Sequence, residues 1–160
     1  MSQEEIVQIV DQQNNPIDAV PRSVMRAEGL IHRACYILVF NRADELFLQR
    51  RTMTKDIYPG YWDIAAGGVV LAGESYEESA TRELFEELGI TAPLTFLFDH
   101  FYDQADNRVW GRVYRCHHEG PFVLQPEEVE YGEFRSIESI LTTSGEDPVT
   151  PDGIEILHRL

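Results

Sequence analysis

A chain of 160 residues with 43% apolar content is long enough to bury one substantial core, and a single domain spanning 1–160 is the simplest organisation. Its 28 acids against 13 Lys and Arg leave a formal net charge of -15, which argues against a polyanion-binding surface and against a nucleic acid polymer as partner. Small phosphate-bearing molecules stay open, because a bound cation reverses a local field.

No run is long and apolar enough to span a membrane, and no basic segment leads into an apolar one at the N-terminus, so neither a membrane partner nor a secretory signal is expected. Cys35 and Cys116 sit in apolar segments without zinc-site spacing. They read as buried thiols of a cytoplasmic protein.

In chain order, residues 6–10 read as a strand, 11–16 as a turn and 17–20 as the returning strand. Residues 22–28 lack breakers and fit a brief helix. Residues 1–30 together make an N-terminal hairpin extension packed on the main domain. The run 35–40 is rich in strand formers and belongs in the centre of a sheet. Residues 46–50 return as its partner.

Arg50 and Arg51 end that strand, and His32 and Arg33 open the one before. Arg50 and Arg51 are either solvated surface charge or phosphate contacts, for which the planar guanidinium fork is suited, and His32 and Arg33 are either capping and structural residues or substrate contacts. Pro59-Gly60 turns the segment 55–62 and brings Tyr58, Tyr61 and Trp62 near a glycine pair. These aromatics either stack on a ligand or cover the core edge. Residues 62–66 read as a strand feeding Gly67-Gly68, where missing side chains permit close backbone approach.

The next segment is the most strongly specified. Ser75 and Glu78 have capping-box spacing, and Gly89 stands where a C-cap glycine belongs. Ala80, Leu84 and Leu88 form an apolar stripe. Glu83, Glu86 and Glu87, at i, i+3 and i+4, gather carboxylates on another side. Such an acidic helix is either a solvated face or a site for a hard divalent cation.

Beyond it, 94–102 and 109–116 read as strands joined by a polar turn over 103–107. His117 and His118 point to opposite faces of an extended segment and read as solvated loop. Residues 129–134 form a further strand, 136–141 a short helix and 152–160 a final helical segment.

One long gapped pattern runs through the acidic helix. Gly68 is followed by five residues, Glu74, seven residues, Arg82-Glu83, Leu84, one residue, Glu86-Glu87, one residue, Gly89 and Ile90. This resembles the signature of the Nudix hydrolase family at every fixed position. The looser resemblance, through HRACYILVF, LFLQRR, KDIYPGYW and the late EEV segment, is to the isopentenyl-diphosphate-isomerase-like branch of bacterial members.

The resemblance implies an α/β fold, an α/β/α sandwich with a mixed sheet. It implies Mg²⁺, with Mn²⁺ as a substitute, held by Glu83, Glu86, Glu87 and the Gly67 carbonyl, with Glu87 and Glu128 as candidates for the base. Gly68, Glu74, Arg82 and Gly89 are the structural motif positions. Arg33, Arg50, Arg51 and Trp62 are the candidate substrate contacts. The expected partner is a small-molecule diphosphate, and the resemblance is compatible with a homodimer.

True isomerases of this branch carry a cysteine and a metal-binding histidine shortly after the Pro-Gly-x-Trp segment. Registering on Trp62 and Gly73-Glu74-Ser75 places Gly67 and Val69 at those positions, and neither residue can do that chemistry. Hydrolysis of a diphosphate bond is the expected reaction. Isomerisation and non-catalytic nucleotide sensing are the alternatives.

Overall fold

The computed structural model describes residues 4–160. Its strands are β1 (Ile6–Val10), β2 (Pro16–Pro21), β3 (His32–Phe40), β4 (Leu46–Arg51), β5 (Trp62–Asp63), β6 (Thr95–Gln104), β7 (Asn107–His117) and β8 (Val129–Arg135). The helices are α1 (Arg22–Glu28), α2 (Tyr76–Leu88), α3 (Ile137–Thr143) and α4 (Pro151–Leu157). All described strands belong to one mixed sheet. β3 pairs in parallel with β7 from His32–Val109 to Phe40–His117, and the other strand pairs are antiparallel.

Alternation along β3 explains the layers. Cys35, Ile37 and Val39 face one side and pack with Ala80, Leu84 and Leu88 of α2. Leu38 and Phe40 face the other side and pack with Ile140 of α3 and with Ile156 and Leu157 of α4. A strand covered on both faces needs apolar residues at nearly every position, and 35–40 supplies them. The result is helix, sheet, helix, the architecture that the resemblance implied.

The first hairpin extends the sheet rather than standing apart. Ile9 pairs with His32, and the turn is strapped down by side chains. Arg33 donates to Asn14 twice at 2.8 Å, Asn14 donates to the Tyr76 hydroxyl, and the Trp110 indole donates to the Gln12 carbonyl. Under the hairpin, Val7, Ile9, Met25 and Val69 make their own small core.

Several expected boundaries move. β6 runs beyond the expected end at Tyr102 to Gln104, because Asp103 and Gln104 go on pairing with Arg108 and Asn107 of β7 and Arg108 donates to Asp103 at 2.6 Å. The turn after it shrinks from 103–107 to the two residues between Gln104 and Asn107. The strand expected at 62–66 stops at Asp63; Ala66 and Val69 make only single bridges to Ile37 and Ala34. The final helix ends at Leu157 instead of continuing to 160.

The α2 stripe anchors the first layer, so truncating it should be costly. Leu84 is 1% exposed. Leu84→Ala is expected to destabilise by about 2–5 kcal/mol and lower the melting temperature by roughly 5–15 °C, measured by calorimetry.

Candidate active site

α2 is set by local chemistry. The Ser75 side chain accepts from the Glu78 amide at 3.1 Å, and the Glu78 carboxylate accepts from the Ser75 amide at 3.1 Å. Gly89 closes the helix in the left-handed region, its N–H donating to Phe85 O at 2.8 Å. Within this frame the apolar stripe faces the sheet. Glu83 and Glu87, beside the stripe, are carried in towards the glycine pair, while Glu86 stays half exposed.

Gly67 and Gly68 make this approach possible. A Cβ at Gly67 would lie 2.0 Å from the Cys35 carbonyl oxygen, and its φ of +143° is rarely adopted by residues with side chains. A Cβ at Gly68 would lie 2.8 Å from Glu83 Oε1. The Glu83 carboxylate therefore occupies the space that a side chain would fill. The Gly67 N–H donates to Glu87 Oε2 at 3.1 Å.

Arg82 ties the remaining acids together. It grips Glu74 with two bonds of 2.7 and 2.9 Å, and reaches Glu83 at 3.0 Å and Glu86 at 3.1 Å. Glu74 in turn accepts from the Leu71 amide at 3.2 Å. With four carboxyl contacts Arg82 is a brace, held above its ordinary pKa first by its bonds to Glu74.

The electrostatics of the pair are unusual for carboxylates. Burial pushes the Glu83 carboxyl up to about 7, with Arg82 opposing and Glu86 reinforcing the shift. Burial, and next the charge of Glu83, push Glu87 well above its ordinary value. Two buried acids resisting ionisation, beside a third on the same helix face, form a set of hard oxygen donors. Among the described residues no hydrogen bond is made to the Gly67 carbonyl, so its oxygen is available too. This chemistry fits a hard divalent cation. Among the described residues the acids do not yet converge as a ligand cage, since Arg82 holds Glu83 and Glu86 while Gly67 holds Glu87.

These acids border a cavity of about 780 Å³. Arg51 reaches into its wall, bonded to Asp63 at 2.8 Å and to the Ile57 carbonyl at 3.1 Å. Glu128, just before β8, also lines it and pairs with Lys55.

Three of the expected substrate contacts lie elsewhere, and strand alternation is the reason. Arg33 neighbours His32 on β3 but points to the opposite face, where it clasps Asn14. Arg50 neighbours Arg51 and lies over the Trp62 ring, 6.0 Å from its centroid. Trp62 is 4% exposed and packs in the core beneath α3 and α4. His117 and His118 are also off the cavity, and His118 accepts from the Gly120 amide at 2.9 Å.

Several cavity residues carried no local signal. Asp152, in the first turn of α4, accepts from the Tyr36 hydroxyl at 2.7 Å, and its other oxygen is buried without a partner among the described residues. Arg22 and Arg26 reach the wall from α1, and Glu5 from the start of the hairpin. His32 also faces the cavity; burial holds it neutral, with a pKa of about 3, and its Nδ1 lies 3.1 Å from the Leu30 carbonyl. Both cysteines are buried free thiols, and burial raises Cys35 to about 12 and Cys116 to about 11.

Residues 30–160 match the NUDIX domain model. The chain belongs to the NUDIX domain family. It is 44% identical to the uncharacterised Nudix hydrolase PA4841 of Pseudomonas aeruginosa, over 98% of this chain and 94% of that one. It is 42% identical to the uncharacterised Nudix hydrolase YfcD of Escherichia coli, over 96% and 84%.

The fold matches the crystal structure of DR0079 from Deinococcus radiodurans with a TM-score of 0.85 at 23% identity, covering 97% of this chain and 98% of that one. The NUDIX domain of Shewanella oneidensis NrtR, solved with ADP ribose, matches with a TM-score of 0.65 at 17% identity, covering 80% and 84%. The family and the relatives in Pseudomonas aeruginosa and Escherichia coli class this chain as an enzyme, a hydrolase. Among its described residues no helix is long and apolar enough to cross a membrane.

The raised carboxyls give the metal-free protein a defined pH response. Below the ordinary value of 4.5 Glu87 is neutral in both folded and unfolded chains, so folding is not penalised. As pH rises towards and through its raised folded pKa, the unfolded chain gains by ionising and stability is lost. Glu87→Gln removes that loss. It should stabilise metal-free protein by on the order of 1 kcal/mol at about pH 8, raising the melting temperature by roughly 2–4 °C, with no gain near about pH 4. Thermal melts in a chelating buffer check this.

Proposed function

We propose that this Nudix chain hydrolyses a diphosphate bond in a small-molecule substrate, a nucleoside-linked or otherwise substituted diphosphate, with Mg²⁺ as the metal and Mn²⁺ as its substitute. The observation that carries this reading is the pair of buried, hard-to-ionise carboxylates, Glu83 and Glu87, packed on a glycine turn that has no side chains. Glu83, Glu86, Glu87 and the Gly67 carbonyl would hold the metal. When bound, it supplies charge neutralisation of phosphate oxygens and a water of lowered pKa.

The chain's own residues supply the rest. Arg82 and Glu74 orient the carboxylates. Arg51 and Lys55 place positive charge in the cavity wall for phosphate oxygens. Glu87 or Glu128 accepts the proton of the attacking water, and coupling among these acids makes the titration a property of the set. Two buried free thiols suit a reducing, cytoplasmic compartment.

Within the isopentenyl-diphosphate-isomerase-like branch, we place the chain on the hydrolase side. The backbone at Gly67 leaves no room for a cysteine, because Cys35 O lies 2.0 Å from the Cβ position. Val69 packs with Val7, Ile9 and Met25 at the edge of the cavity, and its apolar side chain offers no metal ligand there.

Glu86 is half exposed, so Glu86→Gln tests the chemistry with little effect on folding. Turnover on a substrate found by a diphosphate panel with Mg²⁺ and Mn²⁺, with products identified by mass spectrometry, should fall at least about 100-fold. Near-wild-type rates would sink the reading. Tight ligand binding without product in the wild type would move the protein to the sensor class.

A further inference from the structure

We infer that α1, which lies before the matched domain, supplies a phosphate-binding subsite to the cavity, formed by the guanidinium groups of Arg22 and Arg26. Its physiological ligand, the substrate's phosphate, rests on the hydrolase reading; the binding itself does not.

The argument begins with pairing of charge. Two other cations in the cavity wall each have a carboxylate of their own, Arg51 with Asp63 and Lys55 with Glu128. Arg22 and Arg26 share one. Arg22 donates to both oxygens of Asp56 at 3.2 and 3.3 Å. Arg26 Nε comes within 3.5 Å of the same carboxylate, close enough for attraction, and is buried without a hydrogen bond among the described residues. Of the other acids beside α1, the Glu4 carboxylate accepts from the Ser23 amide at 2.6 Å, and Glu5 offers its main-chain carbonyl, 2.9 Å from the Arg22 amide. Two guanidiniums therefore face one carboxylate.

Geometry keeps them there. Residues four apart on a helix lie on one side, so Arg22 and Arg26 present together. The Arg26 Nη1 donates to Asn107 Oδ1 at 3.3 Å, which fixes the guanidinium at the start of β7. Burial, then the charge of Arg22, push the Arg26 pKa down, while the shared Asp56 opposes the shift. The neighbouring His32 is neutral and adds no charge.

Even in a chain of net charge -15, two guanidiniums in a concave wall that share a single carboxylate leave positive charge over for an anion. A phosphate oxygen would accept from the guanidinium Nη groups that Asp56 and Asn107 leave free, relieve the repulsion and exploit the planar donor fork. Two phosphates are candidates: one in the diphosphate itself, or an additional phosphate on the attached group.

The test uses metal-free full-length protein titrated with inorganic diphosphate by calorimetry. Arg26→Gln and Arg22→Gln should each weaken binding by at least about fivefold and reduce its salt dependence. Unchanged affinity in Arg26→Gln overturns the proposal. Should that variant fail to melt cooperatively, Arg22→Gln decides by the same criterion.

A pair of turned-over substrates differing by one phosphate on the attached group then separates the sources. If the additional phosphate sits here, the KM difference between the pair collapses in Arg26→Gln. If the diphosphate sits here, both KM values rise together. No KM change with either substrate also overturns the proposal. Full turnover in Glu86→Gln would remove the hydrolase reading and leave the metal-free binding result standing.

Discussion

The site depends on the absence of two β-carbons. Because Gly67 and Gly68 present bare backbone, α2 comes close enough for Glu83 to pack on one glycine and Glu87 to accept from the other. The closeness buries both carboxylates, and burial raises their pKa values. A single added methyl at either glycine would meet an atom within 3 Å. The backbone turn, the helix position and the acid chemistry are thus one constraint seen at three scales.

Crowded carboxylates need a counterion when no cation is bound, and Arg82 fills that role. It holds Glu74 in a two-pronged grip and reaches two of the helix acids from the same helix. The grip on Glu74 also fixes the loop before α2, since Glu74 accepts from Leu71. The arginine therefore ties loop to helix while it moderates the repulsion that the acids would otherwise exert on each other.

What was legible in the sequence was local. Ser75, Glu78 and Gly89 mark α2 because caps act within a few residues. The central strand is legible because burial on both faces demands an unbroken apolar run. The carboxylate set is legible because helical spacing fixes which side chains share a face. Adjacent arginines on strands are harder, because one register step decides which of Arg50 and Arg51 faces the cavity. Sequence chose Trp62 for its neighbours in the chain, whereas the fold uses it as core. Arg26, Asp152 and Tyr36 carried no signal, since they meet in the cavity wall only through long-range packing.

The cavity wall includes Glu5 near one end of the chain and Asp152 near the other. A fragment holding only Gly67–Ile90 would therefore carry the acidic motif without the cavity that it borders, because walls from both flanks of the motif would be missing.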